Sequence, residues 1–139
     1  NLDIVGDGEL RSVLEAKVKF LEIGSQVKFY GHHSNPYSIL QKADYFVLPS
    51  IAEGVSRASL EALFFGIPCI LREIDANSEL IESGVNGYLF KTDEEFVNIL
   101  REVSTSKEFK FERKSLIPDF FSYKTSSNKL INFINKIKN

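Results

Sequence analysis

The chain has 139 residues, 43% of them hydrophobic and 26% charged, the balance of one soluble globular domain rather than of a disordered segment or of two domains facing across a cleft. No apolar run approaches the roughly 18 to 20 residues of a membrane span, Asn1 to Asp7 form no signal sequence, and Cys69 can neither close an intrachain disulfide nor, with only His32 and His33 beside it, assemble a zinc site, which fits a reducing, cytoplasmic setting. The formal net charge of −2 gives no reason to expect a nucleic-acid partner but hides an asymmetry: residues 1–100 carry eight Lys/Arg against fifteen Asp/Glu, residues 101–139 nine against four.

Leu2, Ile4 and Val5 close on Gly6-Asp7-Gly8, a strand ending in glycine punctuation. Leu10, Val13, Leu14, Val18 and Leu21 then recur at helical spacing, with Gly24 placed to end the helix. A second strand is expected at 27–30 and a helix opened by Pro36. Tyr45-Phe46-Val47-Leu48, halted at Pro49, reads as a buried parallel strand. Ser56 is placed to cap a helix running to about Phe65, which Gly66 and Pro68 end before a strand at Cys69-Ile70-Leu71. A short helix around Glu79 to Ser83, a turn at Asn86-Gly87, a strand at 88–90 and a helix capped by Asp93 and reaching Val103 follow. Five strands alternating with helices over short connections predict an α/β fold, a doubly wound, Rossmann-like parallel sheet. Residues 104–120 read as a surface connection, and Lys124 to Lys138 as a basic amphipathic helix.

Chemistry is not spread evenly over these elements. Gly6-Asp7-Gly8 lacks the third glycine of a dinucleotide fingerprint, since Arg11 stands in its place, so a tight turn is the expected role. His32-His33 reads as a solvated loop pair. The informative stretch is Pro49 to Leu63. It starts at the carboxyl end of a buried strand, passes a glycine loop and enters a helix, so its backbone N–H groups and the positive end of the helix dipole face the crevice where ligands collect. The helix is apolar nearly all round, interrupted by Ser59 and Glu61, and is therefore expected to be buried. A buried Glu61 requires compensation, and two readings stand: a structural role, paired with a basic side chain or accepting backbone N–H groups, or a carboxylate accepting two hydroxyls of a bound sugar ring.

Glu53 and Glu61, with seven residues between them, preceded by Pro49-Ser50 and followed by Ala62-Leu63 and Gly66-x-Pro68, resemble the E-x7-E signature of retaining family 4 glycosyltransferases of the GT-B fold. Val5-Gly6-Asp7-Gly8-Glu9-Leu10, Ala43-Asp44-Tyr45-Phe46-Val47-Leu48-Pro49-Ser50, Glu79-Leu80-Ile81 and Gly84-x-Asn86-Gly87-Tyr88-Leu89 are similar to the same family in the same order, over about residues 2–100. The resemblance implies one half of a GT-B enzyme. Residues 1–103 would form a Rossmann-like donor-binding domain lacking its first unit, and 104–139 a connection and the basic terminal helix.

It further implies a hexosyltransferase that moves a sugar with retention from a nucleoside diphosphate sugar to a glycan or lipid-linked acceptor. Glu53 would reach the hydroxyls of the transferred sugar as the catalytic residue, Glu61 would bind the ribose, and the backbone N–H groups of Gly54, Val55 and Ser56 would meet the sugar or diphosphate. No metal and no cofactor are implied beyond the nucleotide-sugar co-substrate. The family's Arg and Lys for the diphosphate, and its amino-terminal domain, are not in this sequence, so that domain is an expected partner and the isolated chain is expected to be inactive. The implied location is cytoplasmic, with the inner face of the membrane as a peripheral site where a lipid-linked acceptor would be met. The alternative is a nucleotide-sugar-binding module, or a GT-B epimerase half, without transfer activity.

Overall fold

The computed structural model describes residues 1–105 and 114–121; the expected helix at Lys124 to Lys138 lies outside the described residues. Along the chain run β1 (Leu2–Val5), α1 (Arg11–Phe20), β2 (Val27–Gly31), α2 (Tyr37–Leu40), β3 (Phe46–Leu48), α3 (Arg57–Phe64), β4 (Cys69–Arg72), α4 (Asp75–Leu80), β5 (Gly87–Phe90), α5 (Asp93–Thr105) and a 3-10 turn at Asp119–Phe121. Every strand pairing between these elements is parallel, as the alternation of strands and helices predicts. The strands form two sheets, ordered β1-β2 and β3-β4-β5, and the chain divides into two compact units, Asn1–Lys42 and Ala43–Asn139.

In the first unit β1 pairs with β2 in the register Leu2 to Val27 and Ile4 to Phe29. The turn at Gly6-Asp7-Gly8 is a local polar one, as expected: Asp7 Oδ1 accepts the Gly8 N–H at 2.9 Å and Oδ2 pairs with Arg11 at 3.1 Å. Two expectations fail here. The apolar stripe of α1 is not buried, Leu10 being 68% and Val13 60% exposed, because a two-stranded sheet offers too little surface to cover a helix face. Nor does Gly24 end the helix. Glu22 takes the left-handed position (φ 56°), and the N–H groups of Glu22 and Ile23 close the last turn onto the carbonyls of Lys19 and Val18.

The second unit holds the core: Ala62, Leu63, Ile67, Cys69, Ile70, Leu71, Leu80, Ile81 and Phe90 are buried. β4 lies between β3 and β5, with Phe46 opposite Cys69 and Leu71 opposite Leu89, so both its edges are paired and its apolar run Cys69-Ile70-Leu71 is sealed. α3 ends where the sequence says it should. Gly66 adopts φ 70°, its N–H reaches the Leu63 carbonyl and that of Ile67 reaches Ala62, a paired closure that a left-handed residue permits. At Gly87 the requirement is close approach, since a Cβ there would run into the Cys69 carbonyl.

Two further boundaries differ from expectation. The helix placed at Glu79 to Ser83 occupies Asp75–Leu80 instead, ended by extended backbone at Ile81. Helix α5 is capped by Thr92, whose Oγ1 accepts the Glu95 N–H at 3.2 Å, and not by Asp93, which is its first residue. Over 114–121 the connection after α5 has no buried residue among those described, and hydrogen bonds tie it to the end of α3 and to Asn86. The Leu116 N–H donates to the Leu63 carbonyl at 2.7 Å, and the Leu116 carbonyl accepts from Asn86 Nδ2 at 3.2 Å.

Asn86 is a buried junction: its Nδ2 also donates to the Leu80 carbonyl at 3.1 Å, and its Oδ1 accepts the Glu82 N–H at 2.9 Å. Replacing it by alanine strands three backbone groups, so Asn86→Ala is expected to cost about 2 to 4 kcal/mol, read from urea unfolding at constant m. Burial pushes the Cys69 thiol up to about 12. In the unfolded chain the thiol has its ordinary value and loses its proton first, so the folded state binds more protons between the two values and stability falls with rising pH there. The expected slope reaches about 1.4 kcal/mol per pH unit above about pH 9. Urea midpoints compared between pH 8 and pH 10 should fall further in the unaltered protein than in Cys69→Ala.

Candidate functional site

Because β3, β4 and β5 are parallel, their carboxyl ends share one edge of the sheet, and the segments leaving that edge build the candidate site. From β3 the chain passes Pro49 and Ser50, exposes Ile51 through Val55, and enters α3 at Ser56. Ser56 is buried in extended conformation, and its Oγ accepts the Ser59 N–H at 3.3 Å. The expected cap is thus formed, and it fixes the carboxyl end of the loop at the start of α3.

The residues singled out from the sequence lie on this one segment. Glu53, Gly54 and Val55 are exposed in the loop, Ser56 stands at its junction with α3, and Glu61 sits one turn into the helix. One expectation about them is corrected. Glu61 is half-buried, not buried, because α3 covers the sheet with a single face made of Ser59, Ala62 and Leu63, leaving Glu61 with Arg57 and Phe64 away from the core. A half-buried carboxylate escapes the desolvation penalty that made a compensating partner obligatory. Glu61 does make an interaction within the chain, and part of its surface is exposed.

Arg72, the last residue of β4, escaped the sequence reading. Its guanidinium is held among three segments: Nε donates to the Pro49 carbonyl at 3.1 Å, NH1 to the Lys91 carbonyl at 2.9 Å and NH2 to Asp93 Oδ1 at 3.3 Å, with the guanidinium carbon 5.0 Å from the centre of the Phe90 ring. The available signal was a lone cation closing an otherwise buried strand. Below it, Asn77 of α4 is buried and donates from Nδ2 to the Arg72 carbonyl at 2.8 Å. Ser59 Oγ and Asn77 Oδ1 are buried with no partner among the described residues.

The histidine pair belongs to the first unit and behaves as a loop pair. His32 is exposed, while His33 accepts the Asn35 N–H on Nδ1 at 3.2 Å and meets the Tyr30 ring edge-on at 6.2 Å. Lys28 places its Nζ over the Tyr30 ring at 4.5 Å. Among the described residues no group of three or more His, Cys, Asp or Glu side chains is placed to hold a metal ion, and no helix is long and apolar enough to cross a membrane.

A profile of the family described as "Glycosyl transferases group 1" matches residues 1–115. Across 97% of its length the chain is 31% identical to the UDP-Gal:alpha-D-GlcNAc-diphosphoundecaprenol alpha-1,3-galactosyltransferase of Escherichia coli, of which it covers 33%. Among solved structures it is similar to the lipopolysaccharide outer core galactosyltransferase WaaB in its apo form, with a TM-score of 0.69 and 32% identity over 74% of this chain and 31% of that one. It is also similar to Anabaena HepE in complex with UDP-glucose, with a TM-score of 0.66 and 28% identity over 74% and 30% of the two chains. Both are GT-B glycosyltransferases, so the expected fold class holds. The chain spans about a third of the length of these relatives.

The cap yields a prediction about the site's own framework. Ser56→Ala removes the acceptor of the Ser59 N–H while leaving every backbone donor of the loop in place, and is expected to cost about 1 kcal/mol of unfolding free energy. Ser56→Asp, which restores a capping oxygen, should recover most of that loss in the same denaturation experiment.

Proposed function

The chain belongs to the glycosyl transferases group 1 family, and from that premise we propose that it is the donor-binding part of a glycosyltransferase of the retaining family 4 type. The reaction would transfer a hexose from a nucleoside diphosphate sugar to a glycan or lipid-linked acceptor. The observation that carries this reading is the single loop-and-helix segment at the carboxyl end of β3 that bears Glu53, the loop amides and Glu61, on a chain whose structural relatives include a protein in complex with UDP-glucose. UDP-galactose is the donor of choice because the similar proteins from Escherichia coli are galactosyltransferases.

In the proposed mechanism Glu61, half-open on α3, accepts the ribose hydroxyls through its two carboxylate oxygens. Glu53, four residues along the exposed loop from Pro49, accepts hydroxyls of the sugar being transferred. Negative charge grows on the departing diphosphate, and the N–H groups of Gly54, Val55 and Ser56, together with the positive end of α3, meet it. Donors fixed in place before the reaction lower its barrier without reorganising during it. Neither a metal nor a cofactor takes part in this scheme, and the nucleotide sugar is a co-substrate.

The division proposed is a donor-binding part over residues 1–103, lacking its first unit, followed by a connection and basic tail over 104–139. An amino-terminal domain of the same protein supplies the other wall of the cleft, and without it the chain turns over nothing. The place of action is the cytoplasm, at the inner face of the membrane where a lipid-linked acceptor is met. The similarity to an enzyme named for a diphosphoundecaprenol substrate supports such an acceptor.

The test uses the full-length protein with UDP-galactose and an acceptor of the GlcNAc-diphosphoundecaprenol kind. Mass spectrometry should find the acceptor extended by one hexose, whereas UDP binding without any extended acceptor would favour the binding module or epimerase half. Glu61→Gln replaces a charged acceptor by an amide and is expected to weaken UDP affinity by about 1.5 to 3 kcal/mol in calorimetry. Glu53→Gln should lower turnover more than UDP affinity. Unaltered UDP affinity in a folded Glu61→Gln protein would return that residue to a structural role.

A further inference from the structure

We propose that Arg72 is a positioning residue for sugar transfer, its guanidinium holding Pro49, and with it the loop that carries Glu53, against the ends of β5 and α5. The inference rests on the donor-binding reading of the site and adds to it a residue outside the two-glutamate motif. Pro49 has no backbone N–H, so its carbonyl is the backbone hydrogen-bonding group by which the start of the loop is held, and Arg72 Nε takes it at 3.1 Å. The same guanidinium is fixed from behind by the Lys91 carbonyl and Asp93, with its plane over Phe90. It therefore acts as a brace between segments 23, 19 and 21 residues away in sequence.

Only arginine suits this place. Its donors leave a rigid planar fork in different directions and reach three acceptors at once, whereas a lysine ammonium is a single point at the end of a flexible stem. The Asp93 pair itself is a minor contributor, because the Asp93 side chain is 95% exposed against 24% for Arg72. The carbonyl bonds do most of the holding. With Ser56 capping α3 at the other end, the exposed residues Ile51 to Val55 are tied at both ends, which confines Glu53 and the loop amides to a narrow range of positions. Reaction rates are sensitive to such confinement, whereas nucleotide affinity, which the loop amides share with Glu61 in the helix, falls by less.

The experiment compares Arg72→Met, Arg72→Lys and Asp93→Asn in the full-length protein. Hydrogen exchange of the amides of residues 50–56 is followed by mass spectrometry, UDP affinity by calorimetry, and kcat and KM with UDP-galactose and the GlcNAc-diphosphoundecaprenol acceptor. Arg72→Met keeps an apolar stem over Phe90 and removes the donors. It should speed exchange in 50–56 selectively over β4 and lower kcat by about tenfold or more, with UDP affinity falling by a clearly smaller factor. Arg72→Lys should fall between, and serves if Arg72→Met does not fold. Asp93→Asn should stay within about twofold of the unaltered kcat. An unchanged kcat in Arg72→Met overturns the proposal, as does a loss in which exchange rises throughout the unit and kcat and UDP affinity fall by the same factor. Failure of the unaltered protein to bind UDP overturns the donor-binding reading first and is seen in a separate measurement.

Discussion

A strand paired on both edges and apolar up to its last residue has nowhere to go but the interior, and β4 is that strand here. Cys69, Ile70 and Leu71 are sealed between β3 and β5, and the parallel pairing that seals them also delivers three carboxyl ends to one edge. Everything proposed for the site follows from that edge. The loop leaving β3 carries Glu53, the end of β4 carries Arg72, and the end of β5 supplies the Lys91 carbonyl on which Arg72 rests. The hydrophobic core and the candidate chemistry are thus two consequences of one arrangement of backbone hydrogen bonds.

The site is built with polar anchors at its margins rather than with a buried charge at its centre. Ser56 holds the helix end of the loop by a side-chain cap, and Arg72 holds the strand end by a guanidinium. Between them the chain is exposed, as the contact proposed between its backbone and a ligand requires. Behind the site, Asn86 joins the turn before β5 to the segment around Leu116, and the Leu116 N–H reaches the carboxyl-terminal end of α3. The support of α3 therefore includes residues more than fifty positions along the chain.

The first unit shows the opposite economy. Its helix α1 has the spacing of an amphipathic helix, yet Leu10, Val13, Leu14, Phe20 and Leu21 are exposed. Periodicity records that a face is apolar; what covers it depends on the surface available, and two strands supply little. The polar ladder Asp7, Arg11 and Glu15 is local to one helix turn and its preceding loop, and exposed pairs of that kind contribute little to stability.

How much of this was legible in the sequence varied with the range of the interaction. Strand and helix order, the Ser56 cap and the Gly66 stop depend on residues within four or five positions of one another, so spacing alone determined them. The two-glutamate segment was likewise visible, because a loop between a buried strand and a capped helix has a local signature. Three-dimensional packing decided the rest. Whether Glu61 is buried depends on which face of α3 meets the sheet, and Ser59, Ala62 and Leu63 turned it away from the core. The end of α4 lies at the extended backbone of Ile81, short of the expected Ser83. Arg72 was invisible as a functional candidate because its three acceptors come from Pro49, Lys91 and Asp93, which only a folded parallel sheet brings to one guanidinium.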